Sequence, residues 1–436
     1  MQPVQEPATG APARDDLDRA AAALKARLPR RPPPAVLVLA VVAVLVMVAA
    51  PLSYHYLVTW PGDQWQVDVE VYREGARSIV YGRPVYEQLT EPPQLLPFTY
   101  PPFSGFLALW MAFVPFHVVG WIWTAMQVAA TYLTVVVAFR RLLARFGPWR
   151  WVVGAVLTGP LLYLLPVSDG VRFGQVNAFL VLACLLDLCV VDRWRWAGRR
   201  GVWIGLATAV KLTPGVFLVH FALCRRWRDL LTAVAAIVAA TLGAFLVLPE
   251  ASLAFWGGAL TDPARLGPNR GTSNQSIRGV LLRLGPAGLG GEVLWVALVL
   301  AVGVAGFTVA RRAWRAGDPV AEVAAMGLMA VLLSPVAWIH HFAWMVVVVA
   351  ALVGDGRSRR RLAYGLLVLV WFWCRGPWWG SSWIAGGMPA PWFGRFLQNS
   401  DLIGALIALG LLWTVVPRAP HVRPRTKAGR GIRSAA

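Results

Sequence analysis

Two carboxylates lie close together just after the first long apolar run of the chain. Asp68 and Glu70 occur within residues 66–72, where they alternate with valines. A carboxylate held beside a substrate hydroxyl can act as a general base and accept its proton. Acidic residues are also common on solvated loops, so spacing alone leaves both interpretations of Asp68 open.

Lys211 is the only lysine between the two ends of the chain, and it interrupts apolar sequence at Lys211-Leu212-Thr213-Pro214. A ten-residue half-helix rises about 15 Å, which would place this ammonium group near mid-depth of a membrane or in its outer half. An unpaired charge there is costly, so Lys211 should face a cavity, an anion or a carboxylate. We favour phosphate binding; the alternative is a structural ion pair, for which Asp187 is the candidate.

Amide and guanidinium groups recur where another apolar helix is expected to start. Arg172, Gln175 and Asn177 lie in the segment that contains Phe173-Gly174-Gln175-Val176-Asn177. Such amides can bind a sugar or a phosphate at a helix N-terminus, or they can simply cap the helix. The sequence leaves both interpretations open.

Two further polar segments follow later in the chain. One of them follows a stretch rich in proline and glycine and contains Asn274, Gln275 and Arg278. It could cover a substrate, with Arg278 binding phosphate, or it could be a polar loop. His340 and His341 lie between two apolar runs. Adjacent side chains point in different directions on a helix, so metal binding by both is disfavoured. We expect a hydrogen bond to substrate, against the alternative of histidines satisfied at the interface.

The composition is that of a membrane protein. Of 436 residues, 58% are hydrophobic and only 14% are charged, with a mean hydropathy of +0.58, whereas soluble domains carry about 25% charged residues. The four cysteines show no metal-binding or disulfide spacing. These features exclude an independent soluble enzyme domain.

The net charge of +20 comes mostly from arginines in short clusters between apolar runs. This distribution is the positive-inside pattern of cytoplasmic loops, and attraction to anionic lipid supports it. The charge therefore predicts topology and no nucleic-acid partner. The clusters lie within residues 140–150, 193–200, 225–228, 311–315 and 357–361.

The apolar runs predict an all-α polytopic bundle of about twelve transmembrane helices. Residues 1–34 should form a disordered cytoplasmic tail, 35–416 the transmembrane catalytic domain and 417–436 a basic cytoplasmic tail. Within the domain, 59–116 should form a long first extracytoplasmic loop that ends in a short interfacial or re-entrant helix at 103–115. The expected spans are 35–58, 117–139, 151–167, 175–191, the broken pair 201–210 and 212–224, 229–248, 293–310, 320–338, 341–353, 362–374 and 401–416.

Charge and span count agree in this arrangement. Every arginine cluster and both termini fall on the cytoplasmic side, whereas the loops 59–100, 249–292 and 375–399 fall on the other side. The agreement requires 103–115 not to span and 201–224 to be a hairpin. The candidate site residues then gather on the extracytoplasmic face.

In this order the segments resemble the actinobacterial polyprenyl-phosphate-mannose-dependent α-1,2-mannosyltransferases, which have the GT-C fold. The resemblance runs from residue 35 to residue 416, and each motif alone is weak whereas the ordered set is specific. Its motifs are the loop acid followed by Tyr72, Gly82-Arg83-Pro84-Val85-Tyr86, Tyr100-Pro101-Pro102, Phe173-Gly174-Gln175-Val176-Asn177, Lys211-Leu212-Thr213-Pro214, Asn274-Gln275-Ser276 and Ser334-Pro335 through His341.

The resemblance implies transfer of mannose at the extracytoplasmic face, from a polyprenyl-phosphate-mannose donor to a hydroxyl of a lipid- or wall-linked glycan, with inversion. Asp68 matches the family's loop acid and would deprotonate the acceptor, although Glu70 keeps that assignment open. Phosphate is already a good leaving group, so fixed cations suffice, and Lys211, Arg278 or one of the histidines would supply them. Tyr72 is expected at the same site, with no metal, no cofactor and no nucleic acid.

Two other functions remain open at this point. A transferase of the same fold could use polyprenyl-phosphate-arabinose or another sugar, because the motifs contact carrier and fold as much as sugar. A transporter of a lipid-linked glycan would favour inverted repeats and broken helices. The sequence offers one broken pair, at Lys211, without a counterpart in the other half.

Overall fold

The computed structural model describes residues 32–191, 199–262, 269–285 and 288–418, together with residues 19, 265 and 267. Within these residues the chain is almost entirely helical, and the β pairings are two isolated bridges, Leu89 with Pro97 and Asn274 with Trp338. Most of the predicted tails, 1–34 and 417–436, lies outside the described residues.

The helices are numbered here in chain order. The first half contains α1 (Pro34–Tyr54), α2 (Val67–Val80), α3 (Pro102–Leu107), α4 (Phe116–Ala138), α5 (Arg140–Leu143), α6 (Arg150–Leu162), α7 (Leu165–Phe173), α8 (Asn177–Cys189), α9 (Val202–Val210), α10 (Val216–Leu223) and α11 (Trp227–Val247). The second half contains α12 (Pro249–Ala254), α13 (Ile277–Leu284), α14 (Leu289–Arg315), α15 (Pro319–Leu332), α16 (Met345–Val353), α17 (Arg359–Trp373), α18 (Gly376–Ala385), α19 (Pro391–Gln398) and α20 (Ser400–Val415). Short 3₁₀ turns at Leu109–Phe113, Thr213–Gly215 and Ile339–Trp344 lie beside helix breaks.

Several of these helices have the length and composition of membrane spans. In the described part of the chain, four segments are long and apolar enough: Pro34–Thr59, α4, α11 and α14. Two bent pairs, α6 with α7 at 85° and α19 with α20 at 62°, raise the number to six if each pair is one span. Shorter apolar helices complete the bundle, and the expected count of about twelve stays a prediction.

The bundle has a dense centre and an apolar periphery. All residues of α16 are buried, as are all residues of α15 except Pro319. In contrast, the apolar windows of Pro34–Thr59, α11 and α14 are only 11%, 17% and 22% buried. Helices that are apolar all round and remain exposed are suited to face lipid, so these three form the outer wall.

Two expected spans are interrupted by prolines. The expected span 151–167 ends at Leu162, and the chain bends by 85° into α7, which carries Pro166 in its first turn. The expected span 320–338 ends at Leu332, three residues before Pro335. Proline lacks a backbone donor and disfavours helix at the residue before it. Both interruptions bring irregular backbone to the candidate site.

Candidate active site

Lys211 lies in the break between α9 and the turn Thr213–Gly215, where its backbone is extended. Its Nζ is 3.3 Å from the Asn177 Oδ1 atom, 3.5 Å from the Gln175 Oε1 atom and 3.0 Å from the His341 Nε2 atom. The ammonium nitrogen also lies 5.3 Å from the centroid of the Tyr100 ring. Segments that are far apart in sequence therefore meet at this one cation.

Asp187, the alternative partner of Lys211, is engaged elsewhere. Its carboxylate accepts hydrogen bonds from the backbone N–H groups of Gly201 at 2.7 Å and Ile204 at 2.9 Å. Asp187 therefore accepts hydrogen bonds from backbone N–H groups that have no partner within the first turn of α9. The hydrogen-bonding contacts of Lys211 are two amide oxygens and an imidazole, none of which neutralises its charge.

Asp68 lies in the first turn of α2, and the same cluster surrounds it. It hydrogen-bonds with the Gln175 side chain and experiences the charge of Lys211. Burial raises the pKa of Asp68 from 3.8 to about 6, because desolvation outweighs the opposing effects of that hydrogen bond and that charge. Such a carboxyl is mostly ionised at neutral pH and is a stronger base than an exposed aspartate, as general-base catalysis requires.

The structure separates Glu70 from Asp68. Residues two apart on a helix point to different faces, and Glu70 accepts a hydrogen bond from the Glu91 backbone N–H at 3.2 Å. Tyr72 lies one turn after Asp68, and its hydroxyl is 3.1 Å from the hydroxyl of Tyr100. Burial raises the pKa of both tyrosines, so both hydroxyls stay protonated near neutral pH. Tyr100 is a site residue that the sequence analysis included only in a motif.

The two histidines occupy the turn Ile339–Trp344 with different surroundings. The His341 Nδ1 atom accepts a hydrogen bond from the Trp338 backbone N–H at 3.3 Å. A neutral imidazole with an accepting Nδ1 carries its proton on Nε2, which is the atom that faces Lys211. Among the described residues, the His340 Nε2 atom is buried and has no hydrogen-bond partner. The Lys211 ammonium and the His341 Nε2 atom lie 3.0 Å apart, and in the described part of the chain neither forms a hydrogen bond with a carboxylate.

Buried side chains hold the bend between α7 and α8 that presents Gln175. The Gln127 Nε2 atom donates to the backbone oxygens of Gly170 at 2.9 Å and Gln175 at 2.7 Å, and the Trp123 Nε1 atom donates to Gly174 at 2.7 Å. Gly174 has a φ of 74°, and a Cβ there would collide with Val69 of α2. Gln127 is not among the residues expected from the sequence, although a glutamine inside an apolar run is itself a signal of function or packing.

An apolar cavity of about 470 Å³ adjoins the polar cluster. Tyr72 and Tyr100 line it and also contact the cluster, so the two spaces share a wall. Apart from Ser104, the rest of the lining is apolar, with Phe103, Trp110, Trp123 and Trp203 among its residues. Such a lining is suited to hydrocarbon and not to a sugar or a phosphate.

Comparisons with known proteins identify the family of this chain. Residues 98–335 match Glycosyltransferase family 87. The chain belongs to this family. The match covers Gln175, Asn177 and Lys211, whereas Asp68 and the two histidines lie outside the matched residues. The chain is therefore a glycosyltransferase, and its apolar helices make it a multi-pass membrane protein, which confirms the resemblance found in the sequence.

Curated relatives are similar over most of the chain. A polyprenol-phosphate-mannose-dependent alpha-(1-2)-phosphatidylinositol mannoside mannosyltransferase of Mycolicibacterium smegmatis is 33% identical over 345 residues, which is 70% of this chain and 75% of the relative. Two polyprenol-phosphate-mannose-dependent alpha-(1-2)-phosphatidylinositol pentamannoside mannosyltransferases are also similar. That of Mycobacterium tuberculosis is 30% identical over 89% of both chains, and that of Mycolicibacterium smegmatis is 32% identical over 85% of this chain and 90% of the relative. No solved structure matches the chain.

Asn274 and Gln275 of this family 87 member are fully buried and bind protein backbone. The Asn274 Oδ1 atom accepts from the Ala337 N–H at 3.0 Å. The Gln275 Nε2 atom donates to the backbone oxygens of Thr272 and Gln398, each at 2.7 Å. These side chains support the segment that leads into the histidines and do not point freely at a ligand.

Arg278 and Arg172 have different surroundings. Arg278 forms an ion pair with Glu292 at 2.9 Å, and no contact in the described part of the chain joins it to Lys211. Arg172 lies at the end of α7, where its guanidinium group is 4.5 Å from the centroid of the Trp60 ring. It also interacts electrostatically with His340.

Metal binding has no evident donor set in the described residues. Among them, no group of three or more histidine, cysteine, aspartate or glutamate side chains is arranged to hold a metal ion. Lys211 is a cationic side chain in direct contact with Asn177 and His341 of the cluster.

Proposed function

We propose that this family 87 glycosyltransferase transfers mannose from polyprenyl-phosphate-mannose to a hydroxyl of a mannosylated phosphatidylinositol. The names of the two mycobacterial relatives supply both substrate classes. The observation that carries the proposal is the juxtaposition of three features. They are a basic carboxylate at Asp68, a cation at Lys211 without a neutralising hydrogen-bonding partner, and an apolar cavity that shares a wall with both.

The donor phosphate binds between Lys211 and His341 in this proposal. Two donors that face each other at 3.0 Å are unfavourable without an acceptor. A phosphate oxygen placed between them would accept from both, and charge-assisted hydrogen bonds of this kind are strong. Because negative charge grows on the phosphate as it leaves, the same contacts stabilise the transition state more than the ground state.

Asp68 acts as the general base. It accepts the proton of the acceptor hydroxyl while that oxygen forms a bond to the anomeric carbon of mannose. The bond from that carbon to the phosphate oxygen breaks, and polyprenyl phosphate leaves with the electron pair. Attack opposite the leaving group inverts the anomeric carbon, and a β-linked donor then yields an α linkage, which we expect to be α-1,2.

The polyprenyl chain lies in the cavity behind Tyr72 and Tyr100. A polyprenyl group is a hydrocarbon, and burial of apolar surface contributes about 25 cal/mol per Å². The cavity therefore retains the carrier and orients its phosphate towards the shared wall. We expect the site to face the extracytoplasmic side, with both termini in the cytoplasm, because the arginine clusters then lie inside.

The test uses the purified enzyme in lipid nanodiscs, with radiolabelled polyprenyl-phosphate-mannose and phosphatidylinositol mannosides as acceptors. We expect mannosyl transfer, and a loss of about 10²- to 10⁴-fold in kcat for Asp68→Asn, which removes the base. Glu70→Gln is the matched comparison on the same helix and should lose far less. Transfer of arabinose in preference to mannose, or unchanged turnover of Asp68→Asn, would contradict the proposal.

Topology is tested separately by cysteine labelling in a variant without the four native cysteines. Tyr81 and Arg357 are both exposed, the former beyond α2 and the latter within an arginine cluster. A membrane-impermeant maleimide should label Tyr81→Cys in intact cells and Arg357→Cys only after lysis. Labelling of both from outside would refute the orientation.

A further inference from the structure

A second polar group, which the mechanism above does not use, lies beyond His340. The His340 ring is 4.9 Å from the His341 ring and 5.5 Å from the Phe173 ring. The Arg172 guanidinium group is in turn 4.6 Å from the centroid of the Phe173 ring. These contacts connect the phosphate-binding pair to α7, whose Asp169 lies one turn before Arg172.

The second group combines two carboxylates with two guanidinium groups. Asp169 is only 1% exposed and interacts electrostatically with Arg172 and Arg375. Arg375 also hydrogen-bonds with the Tyr56 side chain, and Asp401, likewise 1% exposed, interacts with Asp169. The side chains of the group thus come from α7, from the segment before α18, from the start of α20 and from the end of the first span.

Several polar atoms of this group have no hydrogen-bond partner in the described residues although they are buried. They are Oδ1 and Oδ2 of Asp169, Oδ1 and Oδ2 of Asp401, Nε of Arg172, Nε1 of Trp60 and Nε2 of His340. Native proteins satisfy the large majority of buried polar atoms, so a set of this size requires an explanation. A ligand that both donates and accepts hydrogen bonds supplies one.

The chemistry of the group favours a sugar over an anion. A carboxylate accepts from two hydroxyls at once, a guanidinium group donates to hydroxyl oxygens, and an indole offers both a donor and an apolar face. The formal charges of the two carboxylates and the two guanidinium groups cancel, so the group has no net attraction for a phosphate. Trp60, Arg172 and Arg375 are each partly exposed, whereas Asp169 is buried, so a ligand would meet the first three side chains at the surface.

We propose that Asp169, Arg172 and Arg375, with Trp60, form a subsite for the hydroxyl groups of the acceptor glycan. The inference rests on the proposed function and adds the place where its second substrate binds. The apolar cavity lies on one side of the Asp68 cluster, and this polar group lies beyond His340. The donor's hydrocarbon chain and the acceptor's sugar therefore approach the reacting atoms through chemically distinct surfaces.

Steady-state kinetics of Asp169→Asn and Arg375→Gln test the subsite, with phosphatidylinositol mannoside as the varied acceptor and then polyprenyl-phosphate-mannose as the varied donor. We expect the acceptor KM to rise about 10- to 100-fold, the loss typical of a hydrogen bond to a charged group. The donor KM and kcat should stay within about twofold, because the contact is the same in ground and transition states. Arg77→Gln, which removes an arginine paired with Glu74 at 2.9 Å, is the matched control.

The outcomes separate this inference from the proposed function. A wild-type enzyme without mannosyl transfer would refute the proposed function, and the subsite with it. An active wild type whose two variants keep the acceptor KM would refute the subsite alone, as would an equal rise in the donor KM. Melting temperatures are measured in parallel, because Asp169 is buried. If Asp169→Asn does not fold, the acceptor KM of Arg375→Gln tests the subsite, since Arg375 is partly exposed and its replacement disturbs the core less.

Discussion

Replacing Lys211 by methionine removes the ammonium group and keeps an unbranched side chain of similar length. The Asn177 Oδ1 atom, the Gln175 Oε1 atom and the His341 Nε2 atom would each lose their contact with it. If the ammonium binds the donor phosphate, the change removes one of two convergent donors. If Lys211 is only a structural link between α9 and the histidine turn, the change acts on folding.

The two roles predict different magnitudes. Loss of one preorganised donor to a developing oxyanion costs about 2.7–4 kcal/mol in activation free energy, or about 10²- to 10³-fold in kcat. If the contacts of Lys211 with uncharged side chains are only structural, their loss costs about 0.5–1.5 kcal/mol of stability per hydrogen bond. Removal of a desolvated charge offsets part of that cost. We therefore expect a large kinetic defect and a small change in melting temperature.

The assay is mannosyl transfer in nanodiscs, with donor and acceptor varied in turn and the melting temperature measured on the same preparations. Lys211→Arg keeps the charge and should recover part of the activity, although its guanidinium geometry differs. Binding of polyprenyl phosphate, the product, should weaken in Lys211→Met. Near-normal kcat in a folded Lys211→Met protein, or a defect confined to the acceptor KM, would refute phosphate binding at this residue.

Two further predictions follow from the same site. The pKa of Asp68 is raised to about 6; because the base works only when ionised, kcat/KM should fall about tenfold per pH unit below that value. A pH profile of the wild type checks this, and a flat acidic limb would contradict it. Ala183 lines the apolar cavity, so Ala183→Phe should raise the donor KM for a full-length polyprenyl carrier more than for a two-isoprene analogue. Val219→Phe, at an exposed position, should change the donor KM equally for the full-length carrier and the analogue.

Much of the site could be predicted from the sequence because polar groups in apolar segments are costly. Lys211, Gln175, Asn177 and His341 are candidates on that ground, and the structure places the other three in contact with Lys211, which with Gln175 interacts with Asp68. A break at Lys211-Leu212-Thr213-Pro214 is also expected from the sequence, and Pro214 lies within it. Proline and the cost of burying charge are local signals, and both can be recognised without a structure.

Other features depend on tertiary contacts that no local signal reports. Helix α2 was expected to be a polar loop, yet it is amphipathic, and its buried Val67, Val69 and Val71 pack within the protein. Asp169 has no such signal, because in the sequence it is a single aspartate three residues after Pro166. Only the positions of Arg172 and Arg375 around it indicate a binding role.

Asn274 and Gln275 illustrate why residue type alone does not assign a role. Residues 333–338 leave the helix inside the protein, so their backbone groups need partners that a helix would otherwise supply. The segment 273–276 supplies them: Gln275 N–H donates to Ala337 O at 2.7 Å, Ile339 N–H donates to Ser273 O at 2.9 Å, and Ser276 Oγ donates to Pro335 O at 2.9 Å.

This bracing has a consequence for catalysis. The backbone that carries His341 is held by residues more than sixty positions earlier, so the ring can face Lys211 without forming part of a regular helix. Polar side chains thus divide into those that satisfy buried backbone and those left free for substrate. The first set holds the second in position, because a turn whose backbone groups lack partners would not keep its side chains in one arrangement. A polar residue near an active site can therefore be essential to transfer without touching either substrate.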